Sequence, residues 1–190
     1  MRVKKEKILC LIFIFIIVTA IFFNLLYYER EKKVIKVELA EIEIKIEKEL
    51  KIQTYITNKY KGVSKKTAKT ISIEIIKAAS KHNVDHNLIV GLMELESGFN
   101  PLARSKVGAQ GLLQVIFRIW SKIYNIEDTV LLYDIAYNID IGTSILKHYI
   151  NKNKGDITKA LQNYNGSKGT KFSDRIRTNI TKFKLFKGGK

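Results

Sequence analysis

Apolar residues follow three different rhythms along this chain. From Ile8 to Tyr28 no side chain is charged, and Thr19 and Asn24 are the only clearly polar ones. Some ~21 residues at about 1.5 Å each span roughly 30 Å, the thickness of a bilayer core. The run therefore predicts a transmembrane helix. Arg2, Lys4, Lys5 and Lys7 precede it and Tyr27-Tyr28 close it. The positive-inside rule then places the N-terminus in the cytoplasm and everything after Glu29 outside. A cleavable signal peptide would end near Val18-Thr19-Ala20, but the apolar run continues well past that point, which favours an uncleaved anchor.

Residues 29–61 hold no Gly or Pro and alternate charge with Val, Ile and Leu. The window Ile42-Glu43-Ile44-Lys45-Ile46-Glu47 has strand period, whereas Glu and Lys at this density favour helix. A charged helical stalk is expected, acting as a spacer. All eleven glycines and the single proline lie at or after Gly62, which marks a domain over 62–190.

Within that domain the spacing becomes that of amphipathic helices. Ser64 is placed to cap a helix to about Lys81, with Ala68, Ile71, Ile75 and Ala78/Ala79 as its stripe. Asn83-Val84-Asp85 reads as a turn, with Asp85 capping a helix from about His86 to Ser97 that buries Leu88, Ile89, Leu92 and Met93. Ser105 to Gly111 reads as a loop. Asp134 to about Asn151 reads as a helix with Ile135, Ile139, Gly142 and Ile145/Leu146 on one face. Asp156 caps a short helix through Gln162, Asn163-Tyr164-Asn165-Gly166 forms a turn, and Ser173 to Phe186 makes a last basic helix.

Charge narrows the class of partner. The formal net charge is +16, of which +13 belongs to residues 29–190. Such a field attracts polyanions and says nothing about fold. The basic C-terminus, with Arg175, Arg177, Lys182 and Lys184 among Phe172, Phe183 and Phe186, has the composition of a nucleic-acid binder. A domain outside the membrane rarely meets nucleic acid, so anionic wall polymers or head groups are the better match. Cys10 is the one cysteine, which excludes an intrachain disulfide. His82 and His86 are four apart, but the turn between them and the lack of a third ligand nearby argue against a metal.

Glu96 lies four residues after Leu92 and three after Met93, so it continues the apolar face of its helix. Glu94 is about 200° away and is expected at the surface. A carboxylate ending a buried stripe is desolvated on one side, which favours the protonated form that a general acid needs. A helix frayed after Met93 would instead leave Glu96 in water, and this helix alone does not choose. Gly108 and Gly111 then let backbone approach closely, and Gln114 supplies an amide suited to sugar hydroxyls and acetamides.

At these residues the sequence resembles the catalytic domain of soluble lytic transglycosylases, lysozyme-like enzymes that cleave bacterial peptidoglycan. The matching elements are Glu96-Ser97-Gly98-Phe99-Asn100-Pro101 and Ser105-Lys106-Val107-Gly108-Ala109-Gln110-Gly111-Leu112-Leu113-Gln114. Asn138-Ile139 with Gly142, and Ala160-Leu161 leading to Tyr164-Asn165-Gly166, follow in the family's order across residues 65–180. The resemblance implies a mainly α, lysozyme-like (goose-type) domain preceded by the transmembrane helix and stalk. It implies Glu96 as the single catalytic acid/base, working without a cofactor. Glu96 would protonate the oxygen between N-acetylmuramic acid and N-acetylglucosamine, then take the proton of the muramic 6-hydroxyl as this attacks its own anomeric carbon. Ser105 and Gln114 match residues that hydrogen-bond sugar, and Tyr164 matches a tyrosine that contacts the catalytic carboxylate. Asn138 and Asn165 match positions that line or support the groove.

The chain departs from the pattern at Val115-Ile116-Phe117, at Asn163 before Tyr164, and around Phe172, all of which touch groove shape. The implied partners are a peptidoglycan glycan strand and the cytoplasmic membrane through residues 8–28, with no nucleic acid. A single-pass protein with its catalytic domain in the periplasm or wall space would suit wall turnover, division, or wall-spanning secretion or conjugation machinery. A lysozyme-type hydrolase and a non-catalytic glycan-binding module are the alternatives on the same fold.

Overall fold

The computed structural model describes residues 2–188, with side chains from Ile17 onward except Ala20. Helix α1 runs from Arg2 to Lys59, and the chain divides into two compact units at Ile46/Glu47. In the first unit the described apolar side chains of α1, including Phe22, Phe23, Leu25, Leu26 and Leu39, are exposed. Among the described residues no helix is long and apolar enough to cross a membrane. Much of the expected span, Ile8 to Tyr28, lies outside the residues whose side chains are described.

The second unit begins at Glu47, ahead of the boundary that composition draws at Gly62. Ile52, Tyr55 and Ile56, one stripe of α1, are buried in the same core as the helices that follow. Helix α2 (Lys65–His82) starts where Ser64 Oγ accepts the Thr67 N–H at 3.0 Å. It buries Ala68, Ile71, Ser72, Ile75 and Ala78. Helix α3 (His86–Glu96) is capped by Asp85, which accepts the Asn87 N–H at 2.9 Å. Every residue from Leu88 to Glu94 is buried, so α3 is enclosed on all sides rather than on one stripe.

A short antiparallel hairpin follows, β1 (Ala109–Gln110) with β2 (Val115–Ile116), pairing Ala109 with Ile116 and Gln110 with Val115. Its first strand lies inside the segment expected as plain loop. Helix α4 (Phe117–Tyr124), a 3₁₀ turn (Thr129–Tyr133) and helix α5 (Ile135–Lys152) come next. Asp134 caps α5 by accepting the Tyr137 N–H at 2.8 Å. Helix α6 (Ile157–Asn165) carries Asn163, Tyr164 and Asn165 in its last turn, and only Gly166 leaves the helix, at φ +70°. The expected turn is thus the end of a helix. Helix α7 (Lys171–Leu185) closes the unit.

Two close approaches set the packing around α3 and α5. A Cβ on Gly91 would lie 2.6 Å from Ile180 and 3.1 Å from the Ile176 carbonyl oxygen, so α7 sits directly on α3. A Cβ on Gly142 would lie 2.5 Å from the Leu113 side chain, so the segment after β1 rests on α5. These contacts fix α7 on α3 and the segment around Leu113 on α5.

Candidate active site

Glu96 is the last residue of α3, and the helix holds to that point. The Ser97 N–H donates to the Met93 carbonyl oxygen at 3.0 Å, and Ser97 Oγ donates to the same atom at 3.2 Å. The frayed alternative is therefore set aside. The carboxyl is half-buried, and burial pushes its pKa from 4.5 up to about 7. Near neutral pH the group holds and releases a proton with equal ease, the condition for acid and base work by one residue.

Tyr164, on α6, feels the charge of this carboxyl. Burial and then the Glu96 charge hold its phenol proton well above the ordinary range. The hydroxyl donates to the Leu113 carbonyl oxygen at 2.7 Å, which ties α6 to the segment before Gln114. The expected contact with Glu96 is electrostatic here; the hydroxyl's one proton goes to Leu113.

Gln114 sits at φ +50°. Its Nε2 donates to the carbonyl oxygens of Gly111 at 3.0 Å and Ala103 at 3.3 Å. The amide is thus turned so that, among the described residues, Oε1 is left to accept. Ser105 closes the loop before β1: its N–H donates to the Ala109 carbonyl oxygen at 2.9 Å, and its Oγ accepts the Ala109 N–H at 3.0 Å. The Ser105 hydroxyl proton is not used in that closure. Asn165 is exposed at the end of α6.

Asn138 does a different job from direct sugar contact. It is buried, with Nδ2 donating to Leu132 O at 2.8 Å and Gln110 O at 3.0 Å, and Oδ1 accepting from Leu113 N at 2.8 Å. Its amide is consumed by backbone groups on both sides of the hairpin, so it supports the wall that carries Gln114. Asn138→Leu should leave three buried backbone groups unpaired, for a loss of about 3 kcal/mol, read by urea denaturation.

Glu94 requires a correction: it is buried, not a surface group. Tyr55 Oη donates to Glu94 Oε2 at 2.9 Å and Tyr60 Oη to Oε1 at 2.7 Å, while Lys59 makes an ion pair with Oε1. Helical phase does separate Glu94 from Glu96, but the face opposite Glu96 is covered by the end of α1 rather than by water. Sequence reasoning missed Tyr55, Lys59 and Tyr60. Their signal was Ile52, Tyr55, Ile56 and Lys59/Tyr60 at helical spacing within the segment expected as a spacer. His82 pairs with Asp140 at 2.7 Å, and among the described residues no group of His, Cys, Asp or Glu is placed to hold a metal. A cavity of about 670 Å³ lies between the end of α1, the start of α2 and the Asn100–Leu102 turn, and none of the expected site residues lines it.

Glu96 thus ends a helix inside a helical unit, half-buried and within reach of the Tyr164 phenol's field. The profile of the Transglycosylase SLT domain matches residues 74–186, and the chain belongs to this family. Membrane-bound lytic murein transglycosylase C of Haemophilus influenzae (strain PittGG) is 40% identical over 79 residues, 38% of this chain and 22% of that protein. The protein of the same name from Photorhabdus laumondii is 34% identical over 111 residues, 50% of this chain and 31% of that protein. That of Cronobacter sakazakii is 35% identical over 108 residues, 49% and 30% respectively. The chain thus spans 22% to 31% of the length of these relatives.

Proposed function

We propose that this protein is a peptidoglycan lytic transglycosylase in which Glu96 is the single general acid and base. The observation that carries the reading is a half-buried carboxyl poised at about 7 by burial, with no other carboxylate among the described residues contributing to its shift. Glu94, the nearest acid in sequence, is bound to Tyr55, Tyr60 and Lys59 on the other face of α3. Ordinary glycosidases need two carboxyl groups flanking the bond. Here protonated Glu96 gives its proton to the glycosidic oxygen as the bond to the muramic anomeric carbon breaks. The resulting carboxylate takes the proton of the muramic 6-hydroxyl as that oxygen bonds to the anomeric carbon. The attacking group is already part of the substrate, so no water is consumed. In this reading the Ser105 hydroxyl, Gln114 Oε1 and Asn165 hold the sugars, with Tyr164 and Asn138 shaping the wall.

Residues 8–28 anchor the chain in the cytoplasmic membrane, with the catalytic unit on the outer side. The bare apolar side chains along the described part of that run support an apolar surrounding. The relatives' names, which call them membrane-bound, support this. A small anchored enzyme of this kind suits local opening of the wall for division, secretion or conjugation machinery.

The product decides the reading. Full-length protein acting on purified sacculi should release muropeptides lighter by one water than hydrolytic products. Reducing ends alone would make the protein a hydrolase instead. Because the acid must carry its proton at the first step, activity should fall as pH rises through about 7. A flat profile from pH 6 to 9 would remove Glu96 from that role.

A further inference from the structure

Tyr60, the first residue after α1, touches the chain on both sides of Glu96. Its hydroxyl donates to Glu94 Oε1 at 2.7 Å. Its ring lies 3.4 Å from where a Cβ on Gly98 would be, and meets the Phe99 ring edge-on with centroids 5.1 Å apart. Glu94 is tied twice. Its side chain receives Tyr55, Tyr60 and Lys59, and its backbone carbonyl oxygen accepts the Gly98 N–H at 3.2 Å. Lys59 also donates to the Tyr55 hydroxyl oxygen at 3.0 Å, so the three α1-side groups brace one another.

The chain leaving α3 is bent hard at this point. Gly98 and Phe99 are both left-handed, at φ +57° and +62°, and Phe99 is fully buried. A buried aromatic residue in that region persists only where its surroundings over-determine it. Tyr60 supplies one of those surroundings, and the Glu94 cluster supplies the fixed end of the helix before it. The segment 94–99 is therefore held at both ends, with Glu96 between them.

We propose that Glu94 and Tyr60 are positioning residues for the glycan-cleaving reaction, clamping both flanks of Glu96 so that its carboxyl keeps its place and its burial. This rests on Glu96 being the acid. Neither residue touches substrate in the proposal. The end of α1 thereby becomes part of the catalytic unit rather than a spacer.

Loosening the clamp should let the last turn of α3 open to water, moving the Glu96 carboxyl and lowering its protonated fraction near neutral pH. The charged and titratable groups around this end of α3 are Tyr55, Lys59 and Tyr60 from the α1 side and Arg175 and Lys182 of α7, which share a cleft with Glu94. On the Glu96 side they are Tyr164, with Tyr124 and Tyr149 beside it. Tyr60→Phe changes no charge at neutral pH, so it separates position from field.

The test uses full-length protein and soluble glycan strands cut from sacculi. Glu94→Gln and Tyr60→Phe should each lower kcat by about tenfold or more with KM within about twofold. In both, the fall of activity with rising pH should begin at a lower pH than in the wild type. Glu94→Ala should be worse than Glu94→Gln, which keeps an acceptor for the two tyrosines. If Glu94→Ala does not fold, the other two variants decide. A folded Tyr60→Phe or Glu94→Gln with wild-type kcat and an unshifted pH limb would overturn the proposal while leaving Glu96 in its role. Full activity in Glu96→Gln would instead sink the underlying reading.

Discussion

Glu96→Gln is expected to remove glycan cleavage while making the fold more stable above pH 5. The two effects have one cause. Burial raises the Glu96 pKa from 4.5 to about 7, so the folded state disfavours the ionised form that water would stabilise in the unfolded chain. The folded pKa is the higher one. The unfolded state therefore gives up its proton first as pH rises, and the wild type loses stability between about 4.5 and about 7, then no further. At 1.36 kcal/mol per pKa unit the full penalty is at most about 3 kcal/mol. Glutamine keeps the shape and cannot ionise, so it avoids this penalty, and it also cannot give a proton to the glycosidic oxygen. Activity should fall at least 10²- to 10⁴-fold, the usual contribution of a positioned acid. Thermal melts at pH 4 and pH 8, beside zymography, test both halves. The variant should melt near the wild type at pH 4 and above it at pH 8. An equal difference at both pH values would mean that the carboxyl is not desolvated. Retained cleavage would mean that it is not the acid.

Much of the helical framework was legible because it depends on local rules. Ser64, Asp85 and Asp156 each accept the N–H bond that their position before an apolar stripe suggested, and Asp134, expected as the first residue of its helix, caps it in the same way. The stripes of α2 and α5 fall on the buried faces, since a 3.6-residue period has one reading once the start is known. The phase of α3 likewise puts its two glutamates on opposite faces. What phase does not contain is the identity of the neighbour on each face. Phase alone assigns Glu94 to the surface, and the segment before Gly62, where charges outnumber apolar residues, reads as a spacer rather than as a cover for that face. Ile52, Tyr55 and Ile56 nonetheless make a stripe, and the stripe is buried. A chain cut at Gly62 would lose them from the core together with Lys59 and Tyr60. Asn138 was equally hidden: its three bonds reach residues up to 28 positions away, and nothing in its own neighbourhood says that an asparagine there must be enclosed.

Gly111→Ala should be the most disruptive of the small substitutions, and comparison with Gly108→Ala shows why. Both glycines are left-handed, Gly108 at φ +85° and Gly111 at φ +76°. An added methyl group pays the same backbone strain at each, roughly 1–2 kcal/mol. At Gly108 nothing lies within 4 Å of the new Cβ, so strain is the whole effect. At Gly111 the Cβ would stand 2.2 Å from both the Leu132 carbonyl oxygen and Asn138 Nδ2. The first is backbone, and the second is fixed by its bonds to Leu132, Gln110 and Leu113, so neither can step aside without breaking that set. The hairpin would have to lift, taking with it the Gly111 carbonyl oxygen that holds Gln114 Nε2 and the Leu113 carbonyl oxygen that holds Tyr164. Gly108→Ala is therefore expected to lose about 1–2 kcal/mol and keep its activity, whereas Gly111→Ala should lose more than about 3 kcal/mol and most of its cleavage. Urea denaturation and zymography on the pair would measure both. If the two variants unfold at the same urea concentration, the hairpin is not held by Asn138 as described, and Gln114 and Tyr164 owe their placement to something else.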